Sequence, residues 1–386
     1  MFMPSGFKKT DMILWVTVIY YIVFSFIHLD SEIAQEWGFI YGIPWRINSI
    51  CVVIVSAYAV FTVLEEKDRR KKAFFLVLDV FSIVFGWELI LLMVAMAHRS
   101  MKEWMPAALV AGLSTFGLTM LCAFTGLIDI NGHNARRLAF GMVNRTNFAF
   151  AVLFFIISFS IIRGGYLKYY EYAVLFLFII ATFYHVTAKN AMVCMTLFVL
   201  LCLSGQIYDR LPGEKKGIGN CFRLMQKYFL DYAFVLSYVL YRIVVYYRKY
   251  FEKMKDTIPW IRTFIYRLNI GAETVEMPIT LFGQWVRESG NSEDYYVMDS
   301  FFAKTPVRNG LVYFVLIMGI FTYFLIRARR SGQRTIYFAF LVMALYAITD
   351  PTLVNVSYNF IVALPFAAWD IKSTHGSKPV GEDHEY

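Results

Sequence analysis

The chain has 386 residues, of which 59% are hydrophobic, 18% aromatic and 17% charged. A soluble domain carries roughly a quarter charged residues, so this composition excludes an ordinary soluble enzyme. Net charge is +9, but the basic residues sit in short stretches between apolar runs, and no separate basic face points to nucleic acid.

Taken in chain order, the apolar runs long enough to be read as spans are 12–27, 49–64, 105–127, 147–162, 171–184, 191–203, 230–247, 310–325, 336–348 and 353–367. The first follows Lys8 and Lys9 and leads into His28-Leu29-Asp30. No small-residue cleavage site follows, so it reads as an uncleaved first span. Residues 73–97 form a further apolar stretch with Glu88 inside it. Alternating segments of about ten residues, the mark of a membrane β-barrel, do not occur. The predicted fold is all-α: a polytopic membrane helical bundle of about 11–12 passes. It forms one domain over residues 1–371, with a short cytoplasmic tail at 372–386.

Charge placement orients the bundle. Basic short segments occur at 65–72, 98–103, 163–168, 206–227 and 327–334. The positive-inside rule puts all of them in the cytoplasm. That assignment needs an even number of crossings between Lys72 and Arg99, so 73–97 is predicted to turn back near Gly86-Trp87-Glu88. The segments left outside are 30–46, 128–146, 185–190, the large polar stretch 248–308 and the turn at Asp350-Pro351. The five cysteines form no CxxC pair, and four lie in apolar runs, so they read as small buried hydrophobes.

Charged groups at the outer ends of spans are costly unless they face a polar cavity, which makes them candidates for function. The first set surrounds Arg136, Arg137, Asn144, Arg145 and Asn147; paired guanidinium N–H groups suit a phosphate or pyrophosphate, whereas an arginine that only reaches toward headgroups has no such role. The second is the short turn holding His185, Thr187 and Lys189. The third lies in the large loop, where Arg267, Trp285, Tyr295, Tyr296 and Asp299 fall together in sequence. Aromatic surroundings suit Asp299 to act as a base; its plain alternative is a carboxylate capping the helix that follows. No P-loop, GxGxxG, HExxH or GxSxG is present, and no carboxylates stand at metal-ligand spacing, so neither a metal nor another cofactor is implied.

The order of these features resembles the O-antigen ligase and polysaccharide polymerase superfamily, and within it the Wzy-type repeat-unit polymerases of Gram-positive exopolysaccharide and capsule clusters. Arg137, Gly141, Asn144 and Asn147 are similar to the family's arginine and Gly-Phe…Asn-x-Asn stretch. Thr187 precedes Lys189 where the family has Ser-Arg. Arg267 and Leu281-Phe282-Gly283 match an arginine ahead of Leu-Phe-Gly. Asp299 and Gly310 resemble a final acidic stretch and the glycine that opens the next span. The resemblance implies an enzyme of the bacterial plasma membrane. It would join undecaprenyl-pyrophosphate-linked oligosaccharide units into exopolysaccharide or capsule at the outer face. Arg137, Lys189 and Arg267 would hold the pyrophosphate and Asp299 would act on the acceptor hydroxyl. Asn144, Asn147, Tyr295, Tyr296 and Trp285 would contact substrate. The implied partners are lipid-linked oligosaccharide, membrane lipids, and a flippase and chain-length regulator of the same pathway. An O-antigen-ligase-like glycan transferase would share this chemistry. A flippase or transporter would instead carry charges deep in several spans, for which Asp79 and Glu88 are the candidates.

Overall fold

The structure is a computed structural model that describes residues 9–30, 42–131, 138–142, 145–210, 224–253, 277–284, 300–356 and 359–370. It is an all-α membrane bundle. In chain order its helices are α1 (Lys9–Asp30), α2 (Gly42–Glu65), α3 (Arg69–Phe85), α4 (Glu88–Ala95), α5 (Met101–Phe124), α6 (Arg145–Ile162) and α7 (Tyr169–Val186). There follow α8 (Lys189–Arg210), α9 (Ala233–Tyr246), α10 (Arg248–Glu252), α11 (Phe301–Arg308), α12 (Leu311–Arg330) and α13 (Arg334–Tyr346). Five described helices are long and apolar enough to cross a membrane: Met101–Phe124, Tyr169–Val186, Lys189–Asp209, Leu224–Tyr246 and Leu311–Arg330.

Residues 73–97 do turn back on themselves, and local chemistry shows why. Asp68 caps α3 by accepting from the Arg70 amide at 2.9 Å. The helix ends at Gly86, whose φ of 68° is the left-handed conformation glycine supplies cheaply, and whose N–H closes onto the Ser82 carbonyl. The return helix α4 has only eight residues, and Leu89 to Ala95 are all buried. A helix apolar on every side belongs in an interior. It packs between α2, α3 and the turn Phe360–Ala363.

Because the chain returns, the basic segments meet on one face. His98 Nε2 lies 2.8 Å from Glu66 Oε2, joining the α2–α3 loop to the end of the return arm. The Asp68 amide, and to a lesser degree His98, hold the Glu66 carboxyl below the usual carboxylate value, against partial burial that raises it. Arg334 reaches Asp209 at 2.6 Å, and Arg329 reaches Asp231 at 2.9 Å. Arg163 pairs with Glu171 at 3.1 Å. Gln206 donates to the Leu167 carbonyl at 3.0 Å. This basic face is the one the positive-inside rule assigns to the cytoplasm.

The core runs through α4, α6 and α13. In α6 Phe148 through Ile157 are buried without a break, and α13 packs against α6, α8, α9 and α12. Apolar side chains that face outward, such as Val77, Val80 and Val84 of α3 or Leu177 and Ile180 of α7, suit a lipid environment.

The last predicted span, 353–367, is not a helix. Among its described residues the backbone makes two short 3₁₀ turns, Pro351–Val354 and Phe360–Ala363, with irregular chain around them. Leu353, Val356, Ile361 through Leu364 and Ala367 are nonetheless buried. Irregular backbone is tolerated inside a membrane protein where the protein itself satisfies it. Asn359, fully buried, donates to the Leu353 carbonyl at 2.8 Å. Arg327 donates to the carbonyls of Pro365 at 2.6 Å and Ala367 at 2.9 Å. Apolar length alone predicted a helix; Pro351, Pro365 and the asparagines, whose side chains compete for backbone bonds, prevent one.

Candidate functional site

At the end of α12 remote from the basic face, the chain encloses a cavity of about 440 Å³. Leu311 and Arg327 bracket most of α12; sixteen residues of helix separate them by about 24 Å, most of the thickness of a hydrocarbon core. The cavity is bounded by the turn Gly86-Trp87-Glu88, by Lys304, Arg308 and Asn309, and by Thr352 and Asn355. Val52 and Val55 of α2, Val18 of α1 and Tyr313 of α12 form apolar walls. The cavity therefore combines two cations and one carboxylate with a greasy flank.

Two described stretches of the large loop are tied down here. On one side, 277–284 folds across the start of α12. The first amides of a helix have no partner within it. Here Leu311 N–H donates to Thr280 O and Val312 N–H to Leu281 O, each at 3.0 Å. Gly283 and Gly310, at φ 97° and 92°, press backbone to backbone; a Cβ on Gly310 would run into Gly283, Leu281 and Phe282 main-chain atoms. Phe282 stacks on Phe85 with centroids 4.2 Å apart, and Phe85 on Trp87 at 5.4 Å, so the loop is seated on the α3–α4 turn.

On the other side, Ser300 opens α11. Its hydroxyl accepts from the Phe302 amide at 3.2 Å and donates to the Ala347 carbonyl at 3.1 Å. The Phe301 amide lies 3.1 Å from Ala347 O and 3.2 Å from Asp350 O. Ser300, not Asp299, is thus the helix cap. Lys304 and Arg308 follow at i and i+4, on the same side of α11. Asp350 in turn caps the turn Pro351–Val354, accepting from the Thr352 amide at 3.0 Å.

Of the residues singled out by sequence, Arg136, Arg137, Asn144, Arg267, Trp285, Tyr295, Tyr296 and Asp299 lie outside the described residues. So does the Arg145 side chain. Lys189 stands exposed at the start of α8, and Asn147 half-buried in the first turn of α6; neither bounds the cavity. Two motif pairs distant in sequence do come together. Leu281-Phe282-Gly283 meets Gly310, as above. Phe140, beside Gly141, meets His185, two residues before Thr187, with rings 6.3 Å apart. Gly141 has φ 82° and packs on Thr119 and Ile128, so only glycine fits there.

Lys304 and Arg308 are the cavity residues that sequence reading left without a chemical role, and Glu88 was singled out only for a transporter. The Lys304/Arg308 spacing behind a serine cap was the available signal. Asp79 is separate: it is buried in α3, and neither carboxylate oxygen has a hydrogen-bond partner among the described residues. No family model, no curated protein and no solved structure matches this chain.

Proposed function

We propose that this protein is a multi-pass glycosyltransferase of the bacterial plasma membrane. It would polymerise undecaprenyl-pyrophosphate-linked oligosaccharide units into exopolysaccharide or capsule at the outer face. The observation that carries this reading is the cavity between the Gly86 turn, α11 and the start of α12, on the face opposite the basic segments, with Lys304 and Arg308 in its wall. A diphosphate at a membrane surface needs cations next to an apolar flank that accepts a prenyl chain. Two described stretches of the loop, 277–284 and the Ser300 cap, are tied to the start of α12 and to the Ala347 carbonyl, next to the elements that bound the cavity.

In the proposed reaction, a hydroxyl at the non-reducing end of an incoming unit attacks the anomeric carbon of the growing chain. A C–O bond forms there as the bond from that carbon to the pyrophosphate oxygen breaks. Undecaprenyl pyrophosphate leaves with the bonding electron pair, and Asp299 takes the hydroxyl proton. Lys304 and Arg308, with Arg137 and Arg267, would offset the charge that builds on the leaving group; charge fixed in place before the reaction supplies much of the rate enhancement in many enzymes. Asn144, Trp285, Tyr295 and Tyr296 would hold sugar rings and hydroxyls.

The test is polymer length. With membrane levels of protein matched, K304A/R308A and, separately, R267Q should lower high-molecular-weight polysaccharide by about 10²-fold or more, as loss of charge stabilisation does elsewhere. A wild-type length distribution on gels from both variants would remove the proposal.

A further inference from the structure

On the basic face, a second cavity of about 1040 Å³ opens between α3, α12 and the segment around Phe366. Its rim carries Arg70, Lys71, His98 and Arg327, and among the described residues no carboxylate bounds it. From that rim it runs down one side of α12 past Tyr323 and Gly319 to Val315, positions four apart and so on one helix face. Arg327 to Val315 is twelve residues of helix, about 18 Å, close to the roughly 15 Å depth of one leaflet's hydrocarbon.

We propose that this cavity binds an anionic glycerophospholipid of the cytoplasmic leaflet, with its phosphate at Arg70 and Lys71 and one acyl chain along α12. The charge arrangement matches that occupant. Arg327 already gives its Nη atoms to the Pro365 and Ala367 carbonyls and stacks on Trp369 at 4.2 Å, so it contributes field rather than a movable donor. His98 is held by Glu66 at 2.8 Å. Arg70 and Lys71 are exposed at the start of α3 and reach the rim. Gly319 leaves the trough open: a Cβ built there meets nothing within 4 Å. A polar rim above an apolar slot of one-leaflet depth fits a lipid, whereas a free anion would need only the rim.

The full-length protein, purified and delipidated in detergent, is titrated with phosphatidylglycerol, with phosphatidylcholine and with inorganic phosphate, reading thermal shift and lipid retained in native mass spectrometry. Phosphatidylglycerol should raise the melting temperature; phosphatidylcholine and phosphate should not. R70Q/K71Q should weaken phosphatidylglycerol binding about thirtyfold, the effect of two interfacial cations. G319L, whose Cβ has no protein atom within 4 Å, should weaken it through the chain slot while leaving the cations in place. Equal response to both lipids, a full response to phosphate alone, or wild-type phosphatidylglycerol binding in both variants would overturn the proposal. The readout is independent of polysaccharide synthesis, so its outcome is separable from that of the polymerase reading.

Discussion

Arg327 and Arg329 stand two residues apart near the end of α12 and serve different neighbours. Arg327 replaces the helix partners that the irregular segment beside it lacks. Arg329 places Nε 3.1 and 2.9 Å from the two oxygens of Asp231, which is only 2% exposed. The Tyr337 hydroxyl also donates to that carboxylate, at 3.3 Å. Removing one member of a buried pair leaves a charge uncompensated, which costs about 3–5 kcal/mol. R329A is expected to destabilise by that amount, and D231N/R329A to recover most of it, in unfolding of the purified protein. Equal destabilisation by the single and double variants would show that the pair is not what holds these elements together. Asp79 differs from Asp231 in having no such neighbour among the described residues.

Among the elements, the seat of the large loop is the most exacting. The Thr280-Leu281-Phe282-Gly283 stretch satisfies the first amides of α12 and rests on Phe85, and the fit depends on two glycines in contact. G310A puts a methyl group into backbone and forces φ 92° on a residue with a side chain. A loss of at least ~2 kcal/mol is expected, with faster protease cleavage between 277 and 300. G319A is the control. It lies mid-helix in open space, so it should be neutral or gain up to ~1 kcal/mol. If both substitutions lower the melting temperature alike, the glycine contact is not the cause. The short helix α4 makes a related point: past its eight residues the return arm still meets α3, with the Phe75 ring 6.4 Å from that of His98.

For the whole molecule, the arrangement of faces is the central property. Glu66, His98, Asp209, Asp231, Arg329, Arg334 and the backbone near Phe366 are linked by short contacts, while 277–284 and α11 lie at the other end of α12. Lys67→Cys and Lys102→Cys should therefore be shielded from a membrane-impermeant maleimide added to intact cells, and Ile279→Cys should react. The labelling is read as excess over the wild-type protein. Labelling of all three from the same side would invalidate the orientation and, with it, the outer-face cavity as a polymerisation site.

The sequence by itself determined the class of fold and the side on which charge collects. Apolar length, basic loops and a glycine in the middle of 73–97 are local quantities, and they lead to membrane helices, one basic face and a reversal at Gly86. Tertiary structure decided what local signals do not contain. Residues 353–367 are apolar enough for a helix, yet the Pro365 and Ala367 carbonyls find Arg327 instead, a distant partner that no window of sequence can reveal. Likewise Glu88, Lys304 and Arg308 lie more than two hundred residues apart at the extremes, and only the docking of α11 and the loop against the Gly86 turn makes them walls of one cavity. Patterning reports which surfaces must be buried; the packing of those surfaces sets which polar groups are left facing each other.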